Sequence, residues 1–161
     1  MLYMNLHLLS IDDEQANLIA SHLGRAIGIC DILKKTPYYL AVHRNKIPLE
    51  IMARHNVYND RIYNRTGGEA IVKEEFYDAV LEVAAYARKH LQIVRELKQK
   101  SEEPDGKPLP QHCHRAFLLS HEVEYFLDIL EQVNFMVFEP EVREISKFKI
   151  PYKFFQAARS G

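Results

Sequence analysis

The sequence predicts an all-α fold, and three of its properties support this class. Apolar residues recur every three or four positions over long stretches, which is the spacing of one face of an α-helix. An alternation of apolar and polar residues, which would indicate strands, is sustained nowhere in the sequence. Hydrophobic residues make up 47% of the 161 residues and charged residues 27%, a composition that can fill a core in water. We therefore expect one helical domain over residues 1–161, or a large piece of one.

A first helix is predicted over residues 2–9 and a second over residues 14–35. The second helix begins beside acidic residues, which complement the positive end of a helix dipole. The Thr-Pro pair at positions 36–37 is predicted to end or kink this helix, because proline has no backbone N–H to donate. Gly24 and Gly28 lie on one face and would let another helix or a ligand approach closely. We expect the apolar stripe of this helix to be buried: Leu18, Ile19, Leu23, Ala26, Ile27, Cys30 and Leu33.

The remaining predicted elements are also helical. A short third helix is predicted at residues 48–55, with Pro48 in its first turn and Asn56 as the residue that follows its end. Residues 59–68 are predicted to form a short helix or a turn closed by two glycines, and the longest helix follows over residues 69–100. After a polar, proline-rich loop, further helices are predicted at residues 110–119, 121–133 and 152–160.

Charge and cysteine content exclude several classes of protein. The net charge is −1, from 21 basic and 22 acidic residues, which argues against a nucleic-acid partner because such binders show a basic excess. Cys30 and Cys113 do not suggest a disulfide framework, so we expect a reducing compartment. No apolar run approaches the roughly 20 residues that a membrane-spanning helix needs. The first residues are apolar without a basic leader, and we expect the chain to begin partway through a larger domain.

The stretch GICDILKKTPYYLAVHRNKIP, residues 28–48, carries the most informative pattern. Asp31, Lys35 and Tyr39 are four residues apart, so they share one face if the helix continues past Pro37. Carboxylates at such positions would make a metal-diphosphate site, because Mg²⁺ is a hard cation that takes oxygen ligands. Here only Asp31 offers a carboxylate. From spacing alone, the simpler interpretation is that Asp31, Lys34 and Lys35 form a solvated helix end.

With its flanks, as SHLGRAIGICDILKKTPYYLAVHRNKIPLEIM, residues 21–52, this stretch resembles the second conserved block of the squalene/phytoene synthase family, approximately G-x-A-x-Q-L-x-N-I-x-R-D-V-x-E-D and then G-R-x-Y-L-P. The matching positions are Gly24, Ala26, Arg44, Ile47 and Pro48. In the family, this block and an earlier aspartate-rich helix hold Mg²⁺ on a prenyl diphosphate. Here Lys35 and Tyr39 replace the two aspartates, and the earlier helix has no counterpart in the sequence. The resemblance implies the C-terminal half of an isoprenoid-synthase-like helical bundle, with no catalytic residue and no metal ligand.

One mitochondrial branch of this family fits better. ASHLGRAIGICDILKKTPYY and KIPLEIMARHNV are similar to that branch, which reads approximately A-S-H-I-G-K-A-Q-G-I, then R-A-T-P-Y-H, then a P-hydrophobic-D/E-I-C-M-x-H-G-V block. Its members act in the assembly of respiratory complex I, the NADH dehydrogenase. The resemblance implies a pseudoenzyme without a cofactor, on the matrix side of the inner membrane. The implied partners are complex I assembly intermediates or assembly factors, with peripheral contact to the membrane.

Two other functions stay open. An active prenyl transferase would need metal ligands from an upstream half. A metal-free module would bind a prenyl diphosphate or an anionic lipid, because lysine and arginine offset phosphate charge and tyrosine hydroxyls donate hydrogen bonds. Its ligand-binding residues would be those of the degenerate diphosphate site: Asp31, Lys34, Lys35, Tyr38, Tyr39 and Arg44.

Two further clusters have a functional and a simpler interpretation. His112, Cys113, His114 and His121 supply donors that zinc prefers, but their spacing matches no zinc motif, so histidines scattered at a helix entry are the simpler interpretation. The basic and aromatic segments 88–100 and 147–159 suit an anionic membrane surface, with rings in the interface and cations at the headgroups. In the simpler interpretation, their aromatic rings pack on the core and their cations are solvated.

Overall fold

The computed structural model describes residues 14–58, 62–66, 69–102 and 118–143, and helices dominate these ranges. A short β-hairpin lies between the second and third helices. The helices predicted over residues 2–9 and 152–160 lie outside the described residues, as do the basic and aromatic segment 147–159 and all but the last two residues of the helix predicted over 110–119. The elements in chain order are α1 (Glu14–Ala41), α2 (Leu49–Arg54), β1 (Tyr63–Thr66), β2 (Glu69–Val72), α3 (Glu74–Glu102), α4 (Leu119–Gln132) and α5 (Pro140–Arg143).

α1 continues four residues past Pro37, so of the two predicted effects of residues 36–37 the end of the helix is wrong, and a kink stays a prediction. Proline has no N–H, and the carbonyl of Leu33 therefore loses its usual helical donor. The hydroxyl of Thr36 donates to the carbonyl of Ile32 at 2.9 Å, so this buried side chain is satisfied inside the helix. Leu33 and Leu40 are buried on either side of the proline. Burial of this apolar face offsets the lost hydrogen bond and keeps the helix continuous.

Three of the helices end in the same hydrogen-bonded turn. The second residue after each helix has a positive φ: 56° at His43 after α1, 55° at Asn56 after α2 and 51° at Asn134 after α4. In each turn, the N–H groups of this residue and of the next one donate to carbonyls three and five residues earlier, at 2.7–3.1 Å. This pattern is the Schellman motif, which satisfies the last carbonyls of a helix. The predicted role of Asn56 is confirmed.

β1 and β2 pair in antiparallel fashion between α2 and α3, where the sequence predicts a helix or turn over 59–68 and the start of the longest helix at residue 69. The paired residues run from Tyr63 and Val72 to Thr66 and Glu69, which leaves two residues in the connection. Both are glycine in the sequence, a dipeptide that favours two-residue hairpin turns. α3 begins at Glu74, five residues later than predicted. The strands were missed because four residues are too few to establish an alternating pattern.

The chain divides into two compact units. The first contains described residues 14–28, 87–102 and 118–125, and the second contains residues 29–58, 62–66, 69–86 and 126–143. The first unit buries small and branched side chains, among them Ile19, Leu23, Ala26, Ala87, Leu91 and Val94. The second buries larger ones, among them Leu33, Met52, Ile62, Phe76, Phe126 and Leu130. Each unit therefore has an apolar core of its own.

The predicted apolar stripe of α1 is confirmed in most of its positions. Ile19, Leu23, Ala26, Cys30 and Leu33 are buried, and Ile27 is half-buried. Leu18 is 46% exposed, so its predicted burial is wrong. It lies about 100° around the helix from its buried neighbour, outside the stripe. An added Cβ at Gly24 or Gly28 would meet nothing within 4 Å in the described part of the chain, and a close approach there stays a prediction.

Candidate functional site

The predicted diphosphate-site residues all lie in the second unit, at the end of α1 and in the turn that follows it. The turn connects to the helix through the N–H of Arg44, which donates to the carbonyl of Tyr39 at 2.7 Å. The side chains of Tyr38 and Arg44 are exposed, and that of Tyr39 is half-buried. The helix supplies five of the predicted residues and the turn supplies the sixth: Asp31, Lys34, Lys35, Tyr38, Tyr39 and Arg44.

Asp31 and Lys35 form an ion pair along one turn of α1. Lys35 Nζ donates to Asp31 Oδ2 at 2.8 Å, and both side chains are 53% exposed. The hydrogen bond to Asp31 and the charge of its carboxylate raise the pKa of Lys35 above the ordinary value of 10.5. The pair adds little stability because water screens it. Its chemical consequence is that the carboxylate of Asp31 is already neutralised by an ammonium group.

These residues do not fit a magnesium-diphosphate centre. Mg²⁺ takes an octahedral set of oxygen ligands, with carboxylates providing charge. The ammonium of Lys35 stands where a carboxylate is needed and would repel the cation, and Tyr39 provides a neutral phenol. Among the residues that the structure describes, no three His, Cys, Asp or Glu side chains are placed to hold a metal ion.

Lys34 and Lys35 contact different groups, and a further cation, Lys46, lies near the predicted site residue Tyr39. Lys34 Nζ lies 4.9 Å from the centroid of the Phe126 ring, within the range of a cation–π contact. Lys46 Nζ lies 5.9 Å from the centroid of the Tyr39 ring. The rings of Tyr38 and Tyr39 meet edge to face, with centroids 5.9 Å apart. The sequence alone could have indicated Lys46 as a further site residue, because it follows Arg44 by only two positions.

A histidine pair in the first unit has no counterpart in the sequence analysis. His22 Nδ1 and His90 Nδ1 are 2.9 Å apart, and their rings are tilted by 51°. Burial, followed by the charges of His22, Arg25 and Lys89, lowers the pKa of His90 below the ordinary value of 6.5. A hydrogen bond between two imidazoles needs one donor and one acceptor nitrogen, so the contact requires an unprotonated Nδ1. The residues are 68 positions apart, and no local pattern indicates their contact.

A second contact missed by sequence analysis joins α2 and the residue after it to α3. Oε1 of Glu82 lies 2.7 Å from Nη1 of Arg54 in an ion pair. The other carboxylate oxygen, Oε2, lies 2.9 Å from Nε2 of His55. The side chain of Glu82 is 23% exposed, so these contacts are partly protected from water. They fix a short helix that has too few residues to be stable alone.

The predicted histidine-cysteine cluster is only partly covered by the described residues. His112, Cys113 and His114 lie outside them. His121 lies in α4, where its Nδ1 is 3.5 Å from Glu124 Oε2. Oε1 of Glu124 also lies 2.9 Å from Nη2 of Arg95, so this carboxylate already forms an ion pair with a cation. The zinc interpretation therefore gains no support from the one histidine of the cluster that is described.

The helical fold is consistent with the family that the sequence resembles. A family model described as "Squalene/phytoene synthase" matches residues 1–149, and the chain belongs to this family. The predicted all-α, isoprenoid-synthase-like fold is thereby confirmed. No solved structure matches the chain.

The relatives point to a particular group within the family. "NADH dehydrogenase (ubiquinone) complex I, assembly factor 6" of Homo sapiens is 28% identical over 159 residues, which cover 99% of this chain and 44% of that protein. The protein of the same name from Bos taurus is 31% identical over 143 residues, 89% of this chain and 39% of that protein. A homolog from Dictyostelium discoideum is 31% identical over 120 residues, 74% of this chain and 30% of that protein. The chain thus spans less than half the length of these relatives, and the predicted resemblance is confirmed.

Proposed function

We propose that this protein acts in the assembly of mitochondrial respiratory complex I and that it catalyses no prenyl transfer. The observation that carries the proposal is the similarity to the human assembly factor over 99% of the chain. The bovine and Dictyostelium relatives have names that state the same role. The matches cover less than half of each relative. The proposal therefore assigns to this chain a role that the relatives' names give to longer proteins.

Loss of the gene tests the assembly role. Deletion should lower the amount of assembled complex I on a native gel and its NADH:ubiquinone activity. The activities of complexes II and IV serve as controls for general mitochondrial damage. Re-expression of the natural full-length protein should restore complex I. Normal complex I level and activity in the deletion line would refute the proposal.

The ion pair between Asp31 and Lys35 supports the non-catalytic part of the proposal. It neutralises Asp31, which carries the only carboxylate among the three positions 31, 35 and 39 that share one face of the helix. We expect the purified full-length protein to form no condensation product from farnesyl or geranylgeranyl diphosphate with Mg²⁺. A magnesium-dependent product would instead assign it to the prenyl transferases.

A Lys35→Ala variant tests whether the end of α1 is needed for the assembly role. It removes the ion pair at an exposed position, so the fold should be retained. If the role depends on protein contacts elsewhere, this variant should restore complex I in the deletion line as well as the wild type does. Failure of a folded Lys35→Ala variant would mean that the end of α1 itself takes part in the function.

The proposed location is the matrix side of the inner membrane, with peripheral attachment. Among the described residues, no helix has the length and apolar content needed to cross a membrane. Protease should degrade the protein only after the inner membrane is opened, and alkaline carbonate should release it from the membrane. Digestion in mitoplasts with an intact inner membrane would contradict the matrix location.

A second candidate role is anion binding without a metal at the degenerate diphosphate site. It is favoured by the raised pKa of Lys35, which keeps this exposed group cationic, and by the nearby Tyr39 and Lys46. Inorganic pyrophosphate and farnesyl diphosphate are suitable probes in a binding titration. Lys35→Glu should weaken binding by about tenfold, because a charged hydrogen bond is lost. Lys100→Glu, at an exposed position in the first unit, is the matched control, and equal affinity of both variants would reject this role.

A further inference from the structure

Large apolar side chains are exposed in and near the connection between α1 and α2. Tyr38 is 66% exposed, Val42 is 44% exposed and Leu49, the first residue of α2, is 71% exposed. Exposed apolar residues scattered singly are normal, but three within twelve positions form a local concentration. We define the α1–α2 corner as Tyr38, Val42, Arg44, Lys46 and Leu49.

Contacts and chain connectivity hold these residues together. The N–H of Val42 donates to the carbonyl of Tyr38 at 3.3 Å, so the two side chains lie one helical turn apart on one face. Tyr39 contacts both basic residues. Its backbone carbonyl accepts a hydrogen bond from the N–H of Arg44, and its ring lies beneath Lys46 Nζ. Leu49 follows Lys46 by three residues, which limits their Cα separation to about 10 Å. All of these residues belong to the second unit.

The charge of the corner has one sign. Residues 38–49 contain Arg44 and Lys46 but neither aspartate nor glutamate, although the whole chain has a net charge of −1. The side chains of both cations are exposed. Their long apolar stems can lie along a nonpolar surface while their charged ends stay in water.

From this arrangement we infer that the α1–α2 corner docks on the surface of a bilayer that contains anionic lipids. Tyrosine is favoured at membrane interfaces because its ring is apolar and its hydroxyl is polar. Exposed cations near an anionic leaflet each contribute to binding through the negative surface potential. Val42 and Leu49 would enter the boundary between headgroups and acyl chains.

A lipid surface fits this corner better than an acidic protein surface. Lysine is depleted from protein–protein interfaces, whose centres are occupied by packed apolar and aromatic groups. Here Arg44 and Lys46 lie between the exposed side chains of Val42 and Leu49 along the chain, so cations flank apolar groups as they do in interfacial membrane segments. The inference adds a contact surface to the peripheral location proposed above and rests on that part of the proposed function. It does not depend on the role in complex I assembly.

Vesicle binding by the purified full-length protein tests the inference. We expect co-sedimentation with vesicles of phosphatidylcholine and phosphatidylglycerol at a ratio of about four to one, and much weaker binding to phosphatidylcholine alone. Arg44→Gln combined with Lys46→Gln should weaken binding about 30-fold, from two surface cations. Leu49→Ser should weaken it roughly tenfold, from the loss of apolar burial. The circular dichroism of each variant should match that of the wild type, because the changed side chains are exposed.

Matched variants elsewhere separate this corner from general charge effects. Lys89→Gln combined with Lys100→Gln removes two exposed cations of the first unit, and Leu81→Ser removes an exposed leucine of α3. Both should bind anionic vesicles like the wild type. Absence of binding to anionic vesicles would overturn the inference, as would equal losses in the corner and control variants. Full binding by the corner variants would also overturn it and would direct attention to the two other basic and aromatic segments, residues 88–100, where the control lysines lie, and residues 147–159.

The outcome is distinguishable from that of the assembly test. If deletion of the gene leaves complex I normal while the corner variants lose vesicle binding, the assembly role fails and the membrane contact stands. If deletion lowers the amount of complex I but the purified protein does not bind anionic vesicles, the membrane contact of the corner is rejected and the assembly role stands.

Discussion

At the scale of single residues, the contact between His22 and His90 makes stability depend on pH. Burial and neighbouring cations lower the pKa of His90 in the folded state below 6.5, so the unfolded chain binds a proton more readily. Stability is therefore fully present above about pH 6.5 and decreases as the pH falls towards the lowered pKa of the folded state, because a partly buried imidazole must then carry a charge near other cations.

We predict that the free energy of unfolding decreases between about pH 7 and pH 5.5, a range that includes the ordinary histidine pKa. Urea unfolding followed by circular dichroism at a series of pH values measures this dependence. His90→Gln should reduce the slope, because glutamine does not titrate in this range. An unchanged slope in that variant would show that other groups cause the pH dependence.

Two carboxylates of the second unit should differ in their effect on stability. Glu82 is partly buried and contacts Arg54 and His55, whereas Asp31 pairs with Lys35 in an exposed position. Glu82→Ala should lower the free energy of unfolding by about 1–2 kcal/mol. Asp31→Ala should lower it by less than about 0.5 kcal/mol, because exposed pairs contribute little. Urea unfolding of both variants checks the order, and equal losses would contradict it.

At the scale of elements, periodicity predicted the helices well, while turns and interruptions required tertiary information. The stripe of α1 was predictable because Ile19 and Leu23 recur at helical spacing. The continuation through Pro37 was not, because it depends on the burial of Leu40 beyond the proline. The hairpin was missed for a different reason, since short strands have no period of their own and the pairing supplies their order.

We predict that Pro37→Ala stabilises the protein. Alanine restores an N–H that can donate to the carbonyl of Leu33, and alanine is the best helix former. The gain should be about 1–2 kcal/mol, because proline also restricts the unfolded chain and part of the effect cancels. The midpoint of urea unfolding measures it. A lower midpoint would mean that α1 does not pass through this position as a regular helix.

At the scale of the whole molecule, the family frame was predictable from the sequence, but the state of the site was only partly so. Gly24, Ala26 and Arg44 carried the resemblance to the family, and the sequence also showed that residues 35 and 39 are not acidic. That Lys34 would contact Phe126, far along the chain, could not be predicted. The same limit applies to His22 and His90, since long-range contacts depend on how separate helices pack.

That residues 1–161 form a single domain stays a prediction, and cooperative unfolding tests it. α1, α3 and α4 each contribute residues to both units, so unfolding one unit would disrupt helices that continue into the other. We expect one urea transition, with coincident curves from circular dichroism and from the fluorescence of the nine tyrosines. Two separated transitions would indicate two independent folding units.

The pairing of Asp31 with Lys35 also has an evolutionary consequence. A change of Lys35 to aspartate alone would place two like charges one turn apart, at a cost of a few tenths of a kcal/mol, without completing a metal site. A third carboxylate on this face would need a further change, at Tyr39. At least two substitutions therefore separate this end of α1 from a face with three carboxylates, and the first of them at Lys35 would remove the ion pair.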